Sequence, residues 1–388
     1  MRQYIRHIWN SFRKGDMILL LLCLAMTSFG LLIIASTTNA VGYSRYLVIQ
    51  IIAMLLGIGF YAVVSSIDAE FMAEHRLAMT IFNVFLLLLL IPFGTDNGSG
   101  NRSWLSIPLI PVDIQPAEIC KILFIIIAAS VMNAHQNNPS SLKSVSHLGA
   151  HMLLLLGLNM VLSRDLGVSL IFVFIFVGMA ICGGVSLLWF AGGLGALVAS
   201  FPIWWRLLGT HQQNRIMILF DPSLDPTGIY ERYHTVRALK SLTGGGLTGQ
   251  GLFEGTRTQT EGALFAQHTD FIYAAIGEEL GFVGCALILV MMALIVARCI
   301  WVGTRSPDYM RKLICFGAAS ALIFQVCVNV GMCLELAPVI GLTLPFVSYG
   351  GSSLVTLYAM MGLVSGVYAR PNPTSRERYI RPPQRYLM

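Results

Sequence analysis

The sequence predicts an all-α polytopic membrane protein with about ten transmembrane helices and a long extracytoplasmic loop between the seventh and eighth. Three observations predict it. The 388 residues are 56% hydrophobic and only 11% charged, whereas a soluble protein carries about 25% charged residues. Apolar runs near ~20 residues, enough for a ~30 Å hydrocarbon core, recur along almost the whole chain. The basic residues behind the net charge of +6 gather at the ends of those runs. Positive-inside bias explains that placement more simply than nucleic-acid binding does.

The basic opening MRQYIRHIWNSFRKGD precedes an apolar run from Met17 to Ser36. That run is too long for a signal core, and no small-residue cleavage site follows it, so it reads as a first transmembrane helix. Further spans are expected at 46–65, 77–93, 117–132, 148–162, 167–183, 187–206, 278–297, 313–334 and 352–369. This count puts both tails on one side. The tails (1–16 and 370–388) and short loops of that side hold fifteen Lys/Arg, against three (Arg45, Arg102, Arg164) in the short loops opposite. The asymmetry places both tails in the cytoplasm. All eight cysteines lie in or beside apolar runs without a CxxC pair, a pattern of small buried hydrophobes rather than of disulfides or zinc ligands.

Two outer loops stand apart. Residues 207–277 are polar and rich in Gly and Asp-Pro steps, yet keep Ile216, Leu219, Phe220 and Phe253, which suits a loop folded back onto the membrane domain. Its GGGLTG (244–249) matches a dinucleotide fingerprint by spacing only, since no βαβ unit surrounds it. Residues 94–116 form a shorter loop with two sequons, at Asn97 and Asn101, which chance explains in so Asn/Ser-rich a stretch.

Ionisable residues within or beside spans are the functional candidates, because lipid makes them costly. Counting ~20 residues back from Arg298 puts the lipid boundary near Glu278 and Glu279. Asp270 then stands ~12 Å further out at ~1.5 Å per residue, at headgroup height. There a carboxylate with a raised pKa suits proton abstraction, and a helix N-cap is the competing use. His268 either orients Asp270 or caps the loop. In QPAEICK, Pro116 opens a helix, and Glu118 and Lys121 share one face three residues apart. They form a local salt bridge, or an embedded site in which Lys121 answers a diphosphate and Glu118 holds it. Asp165 follows Arg164 at a hairpin tip. Arg102, next to Trp104, has the guanidinium fork that matches phosphate.

HTDFIYAAIGEELGFVG (268–284) and GLTLPFVSYGGSS (341–353) resemble the RodA/FtsW/SpoVE family of shape, elongation, division and sporulation proteins. NRSWLSI, QPAEICK, RDLG, FDPSLDPTGIY and GGGLTGQGLFEGTRTQ continue the resemblance in order, so it spans nearly the whole membrane domain. NVGM (329–332) and GTRTQ lean toward the RodA branch. The chain departs from the family at Leu264-Phe265-Ala266-Gln267, where Leu-Pro-Glu is common, at Ala117, and at Glu335, where Gly is usual.

The resemblance implies a peptidoglycan glycosyltransferase of the bacterial cytoplasmic membrane. It would polymerise lipid II for elongation or division, beside a class B penicillin-binding protein. It carries the family's essential aspartate to Asp270, and its other site residues to Glu118, Lys121, Arg102 and Asp165. No cofactor is required with certainty, and a divalent cation at the diphosphate stays open. Two other functions fit charged residues within spans: a lipid II flippase, and a non-enzymatic scaffold recruiting the penicillin-binding protein.

Overall fold

The computed structural model describes residues 2–39, 42, 44–95, 102–106, 113–226, 228, 230 and 232–370. Both sequons and nearly all of the basic C-terminal tail lie partly or wholly outside the described residues. Helices α1 (Arg2–Lys14), α2 (Met17–Asn39), α3 (Ser44–Ser66), α4 (Ala69–Glu74), α5 (Arg76–Leu88) and α6 (Leu90–Phe93) come first. Strands β1 (Gly94–Thr95) and β2 (Trp104–Leu105) then pair antiparallel. Next are α7 (Pro116–Ala134), α8 (Leu142–Leu162), α9 (Leu166–Cys182), α10 (Leu187–Ala199) and α11 (Phe201–Leu207). After α12 (Thr210–Phe220) and α13 (Tyr233–Gly244), the chain ends in α14 (Ile272–Arg305), α15 (Tyr309–Cys333) and α16 (Gly351–Ala369).

Among the described residues, 8 helical stretches are long and apolar enough to cross a membrane, and α9 and α10 are shorter apolar helices. These occupy the positions of the spans expected from hydropathy. The seventh is cut short: α10 ends before Ser200, and Pro202 follows in α11. Proline cannot donate the helical hydrogen bond and crowds the preceding turn.

The eighth differs more. In place of a span over 278–297, α14 runs 34 residues with a break at Gly281 (φ 65, ψ −162). Left-handed φ with that ψ is open only to glycine. Residues 282–305, roughly 36 Å at ~1.5 Å per residue, suffice to cross a bilayer. The turns before the break belong to the long loop's packing. Gln250 and Gly251 N–H donate to the Glu278 and Glu279 carbonyls (2.9 and 3.0 Å), and Phe282 N–H donates to Gly246 O (2.9 Å). An added Cβ at Gly249 would collide with the Glu279 carbonyl. Gly245 and Gly249 of GGGLTG therefore serve this close approach.

Polar latches bring both described ends of the chain to one face. Arg298 grips buried Asp16 through Nε (2.8 Å) and Nη2 (3.1 Å). Tyr61 Oη donates to Asp16 O (2.8 Å). Arg370 caps the end of α3 through the carbonyls of Ser65, Ser66 and Ile67. In the core the most extensive helix packing is between α3 and α16, then between α14 and α15, then between α15 and α9.

Candidate active site

At the opposite face, the segment before α14 is clamped by α15 and by the loop leading into α16, which α3 holds in turn. Asn329 of α15 donates from Nδ2 to Asp270 O (2.8 Å) and to Leu342 O (2.7 Å). Ser348 Oγ donates to Thr269 O (2.6 Å), and Tyr349 N–H to His268 O (2.8 Å). Gln50, fully buried in α3, donates to Ser348 O (3.0 Å) and accepts from Gly350 N–H (3.1 Å). HTD and the 341–353 motif, far apart in the chain, are thus tied backbone to backbone.

The clamp leaves the Asp270 carboxylate untouched. The N-cap of α14 is Phe271, with no side-chain capping bond, so the capping use of the aspartate is not taken up. Among the described residues the carboxylate accepts no hydrogen bond. The residue keeps intermediate exposure, yet its surroundings are dense. Lost hydration, reinforced by the Asp165 charge, pushes its pKa up to about 6. Such a carboxylate is reachable by solvent but poorly solvated.

Asp165 caps α9, accepting from Val168 N–H (3.0 Å). Its other oxygen faces Gln115 Nε2 (3.3 Å) and Ser103 Oγ (3.4 Å). Burial raises its pKa against these hydrogen bonds, and Glu118 adds to the rise. From Gln115, N-cap of α7, the chain enters the helix through Pro116. Glu118 and Lys121 then pair at 2.8 Å, 3% and 1% exposed. Glu118 Oε2 also accepts from Thr356 Oγ1 (3.0 Å) and Ser353 Oγ (3.4 Å) of α16. Asp165, Gln115, Glu118 and Lys121 therefore form one polar string, with Asp270 near enough to feel its charge.

The other two predicted residues stand outside that string. Arg102 is exposed and, among the described residues, makes no hydrogen bond or ion pair. The His268 ring packs between Tyr46 (4.7 Å) and Tyr349 (5.8 Å), and burial lowers its pKa. Its partners are aromatic faces rather than the Asp270 carboxylate. Among the described residues no three His, Cys, Asp or Glu side chains converge as a metal-ligand set.

Sequence reasoning did not single out Asn329 or Gln50 as positioning residues, although a lone amide in an apolar helix was a signal for each. Glu278 and Glu279, which the count from Arg298 puts near the lipid boundary, are turned into the protein. Both are fully buried in protein. Glu279 Oε1 gathers Ser36 Oγ (2.7 Å), Thr258 Oγ1 (2.8 Å) and Gln259 Nε2 (3.1 Å), while Glu278 Oε1 accepts from Arg257 N–H (2.7 Å). They anchor the long loop. Glu335, the departure from the family pattern, pairs with Arg232 at 2.9 Å and accepts from Thr235 Oγ1 (3.0 Å). It ties the end of α15 to α13.

Comparisons with known proteins agree over the length of the chain. The family model FTSW_RODA_SPOVE, described as cell cycle protein, matches residues 16–372. Peptidoglycan glycosyltransferase MrdB of Escherichia coli (strain K12) is 31% identical over 371 residues, covering 95% of this chain and 97% of that protein. The probable peptidoglycan glycosyltransferase FtsW of Thiomicrospira cyclica is 32% identical over 375 residues, covering 92% of each. Among solved structures, a chain from work on the structural coordination of polymerization and crosslinking by a peptidoglycan synthase complex superposes with TM-score 0.77. It is 26% identical and covers 95% of this chain and 99% of that one. The rod shape determining protein RodA of Thermus thermophilus gives TM-score 0.67 at 25% identity, over 94% and 98%.

Proposed function

The chain belongs to the FtsW/RodA/SpoVE family of cell cycle proteins, and on that premise we propose that it is a peptidoglycan glycosyltransferase with Asp270 as its general base. The observation that carries the reading is the Asp270 carboxylate: the backbone of residues 268–270 is held by Asn329, Ser348 and Tyr349, while the carboxylate oxygens are left without a partner among the described residues and its pKa is pushed up to about 6. A base for a sugar hydroxyl must be unprotonated near neutral pH yet more basic than an ordinary carboxylate. Burial supplies that shift.

In this reading the donor is a growing glycan on a lipid diphosphate, and the acceptor is the 4-hydroxyl of lipid II. Asp270 takes the hydroxyl proton as the new C–O bond forms on one face of the anomeric carbon. The bond to diphosphate breaks on the other face, so the configuration inverts. The diphosphate leaves with the bonding pair, and Lys121 and Arg102 are the cations for it. Arg102 is already exposed, whereas Lys121, buried against Glu118, must be uncovered to meet it. Asp165 orders Gln115 and the entry of α7. His268 offers an aromatic-backed surface to a sugar.

The positive-inside count supports a bacterial cytoplasmic membrane orientation with both ends in the cytoplasm and Asp270 outside. Residues 17–369 then form the membrane domain, including the outer loop 207–277, between the cytoplasmic tails 1–16 and 370–388. The partner in this reading is a class B penicillin-binding protein. The test is purified protein in detergent with lipid II, with and without that partner, and polymer read on a gel. Polymer made without any bilayer to cross supports the polymerase. Folded protein that yields none even with the partner present defeats the reading and leaves transport or scaffolding.

A further inference from the structure

A second group of ionisable side chains lies on the long loop, outside the clamp around Asp270. Arg237 and Lys240 of α13 and Arg257 of the following loop line a groove of about 540 Å³ together with Tyr233, Thr260, Gly262 and Ala263. Two of the three cations are held by neutral acceptors. Arg237 Nη1 donates to Gly262 O (3.0 Å) and Ala263 O (3.2 Å), and its guanidinium lies 4.0 Å over the Tyr233 ring. Arg257 Nη1 donates to Lys240 O (3.1 Å). Carbonyls fix these forks in place without cancelling their charge, and each fork keeps further N–H donors. Among the described residues the Lys240 ammonium has no acceptor, and Glu261 on the rim pairs with none of the three.

The groove adjoins a pocket that reaches to within two residues of Asp270 in the chain. Gly262 lines both it and a neighbouring pocket formed by Thr37, Tyr46, Phe265, Gln267 and His268. His268, two residues before Asp270, and the three cations therefore lie on adjoining pockets that meet at Gly262.

We propose that this groove is an anion site that receives the polymer leaving Asp270 and holds the carboxylates of its peptides. The proposal rests on the glycosyltransferase reading. A peptide joined to a sugar through its amino end exposes a carboxylate at its other end, so a strand bearing such peptides is a polyanion. An open groove with fixed guanidiniums matches carboxylates spaced along a strand. Partly exposed cations bind each of them weakly and with strong salt dependence. Weak, repeated contacts suit a track along which a strand must slide.

The experiment measures binding of lipid-free glycan strands to the full-length protein in neutral detergent, comparing strands with their peptides to strands stripped of them. Lys240→Glu is the variant, because its exposed ammonium holds no part of the backbone. Wild type is expected to bind peptide-bearing strands about tenfold more tightly than stripped ones, and Lys240→Glu to lose about fivefold of that difference. In the polymerisation assay the variant's strands come out shorter. Equal binding of both strands by wild type overturns the proposal, as does a variant that binds like wild type. Vesicles containing phosphatidylglycerol are the second arm: if they bind in a Lys240-dependent way while strands do not, the groove belongs to lipid headgroups and the proposal falls. Binding needs no turnover. Strand binding by a protein that makes no polymer therefore counts against the glycosyltransferase reading alone, and polymerisation without charge-dependent binding counts against the groove alone.

Discussion

Replacing Asp270 by Asn keeps the shape of the side chain and removes its charge and its basicity, so activity and stability should move in opposite directions. The carboxyl pKa is raised from 3.8 to about 6, some two units at ~1.4 kcal/mol each. Because the side chain still meets solvent, screening brings that figure down to roughly 1–2 kcal/mol. The sign follows from linkage. Near pH 7 the folded protein must hold a poorly hydrated carboxylate that the unfolded chain hydrates freely, so the charge destabilises the fold. Below about pH 4 both states are protonated and the penalty is absent. Asp270→Asn should therefore unfold at a higher temperature than wild type at pH 7, by about 1–3 °C. The difference should shrink as the pH falls from about 6 to about 4. Wild-type polymerisation should rise with pH, pass half-maximum near about 6 and level off roughly one unit above, because the base works only when unprotonated. The variant should lose at least ~100-fold in rate, the scale of general base catalysis. Scanning fluorimetry in detergent across that pH range, alongside lipid II polymerisation, measures both. A variant that polymerises normally refutes the base. A variant that melts lower at pH 7 refutes the argument that this carboxylate is strained rather than structural.

Other perturbations test the rest of the site. Glu118→Gln or Lys121→Met alone should destabilise by about 3–5 kcal/mol, since each strands a buried charge. The double variant should recover most of the melting temperature, and if the pair serves the diphosphate it should remain inactive. Asn329→Ala removes the donor shared by Asp270 O and Leu342 O. It should cost about 1–3 kcal/mol and lower polymerisation by ~10-fold or more through misplacement of the base, with loss of kcat exceeding any rise in KM. Gly281→Ala puts a side chain on a left-handed backbone packed against Gly249 and Leu247. It should cost about 1–3 kcal/mol, and hydrogen exchange should quicken at the Phe282 and Val283 amides that bond to the long loop.

Hydropathy located the helices because a ~30 Å apolar medium leaves a long and unmistakable record in a chain. Pro116 at the start of α7 and the Glu118–Lys121 pair were equally legible, since both are set by spacing within one helix. The break at Gly281 was not, because nothing local distinguishes a glycine that kinks a helix from one that merely sits in it. Only residues 246–251, packed against it, give that glycine its conformation. Glu278 and Glu279 looked like boundary residues for the same reason. Their partners Ser36, Thr258 and Arg257 lie in other parts of the chain.

Alone, then, the sequence determined the helical membrane class, the succession of apolar helices, and the aspartate proposed here as the base. Which carboxylates are spent on structure and which one stays free was decided only by the tertiary fold. Asp165 caps a helix, Glu118 holds a lysine, and Glu278 and Glu279 anchor a loop, while Asp270 alone among these five keeps no hydrogen-bond partner among the described residues. Apolar length is a property of consecutive residues. Hydrogen-bond satisfaction depends on groups that meet only after the chain has folded.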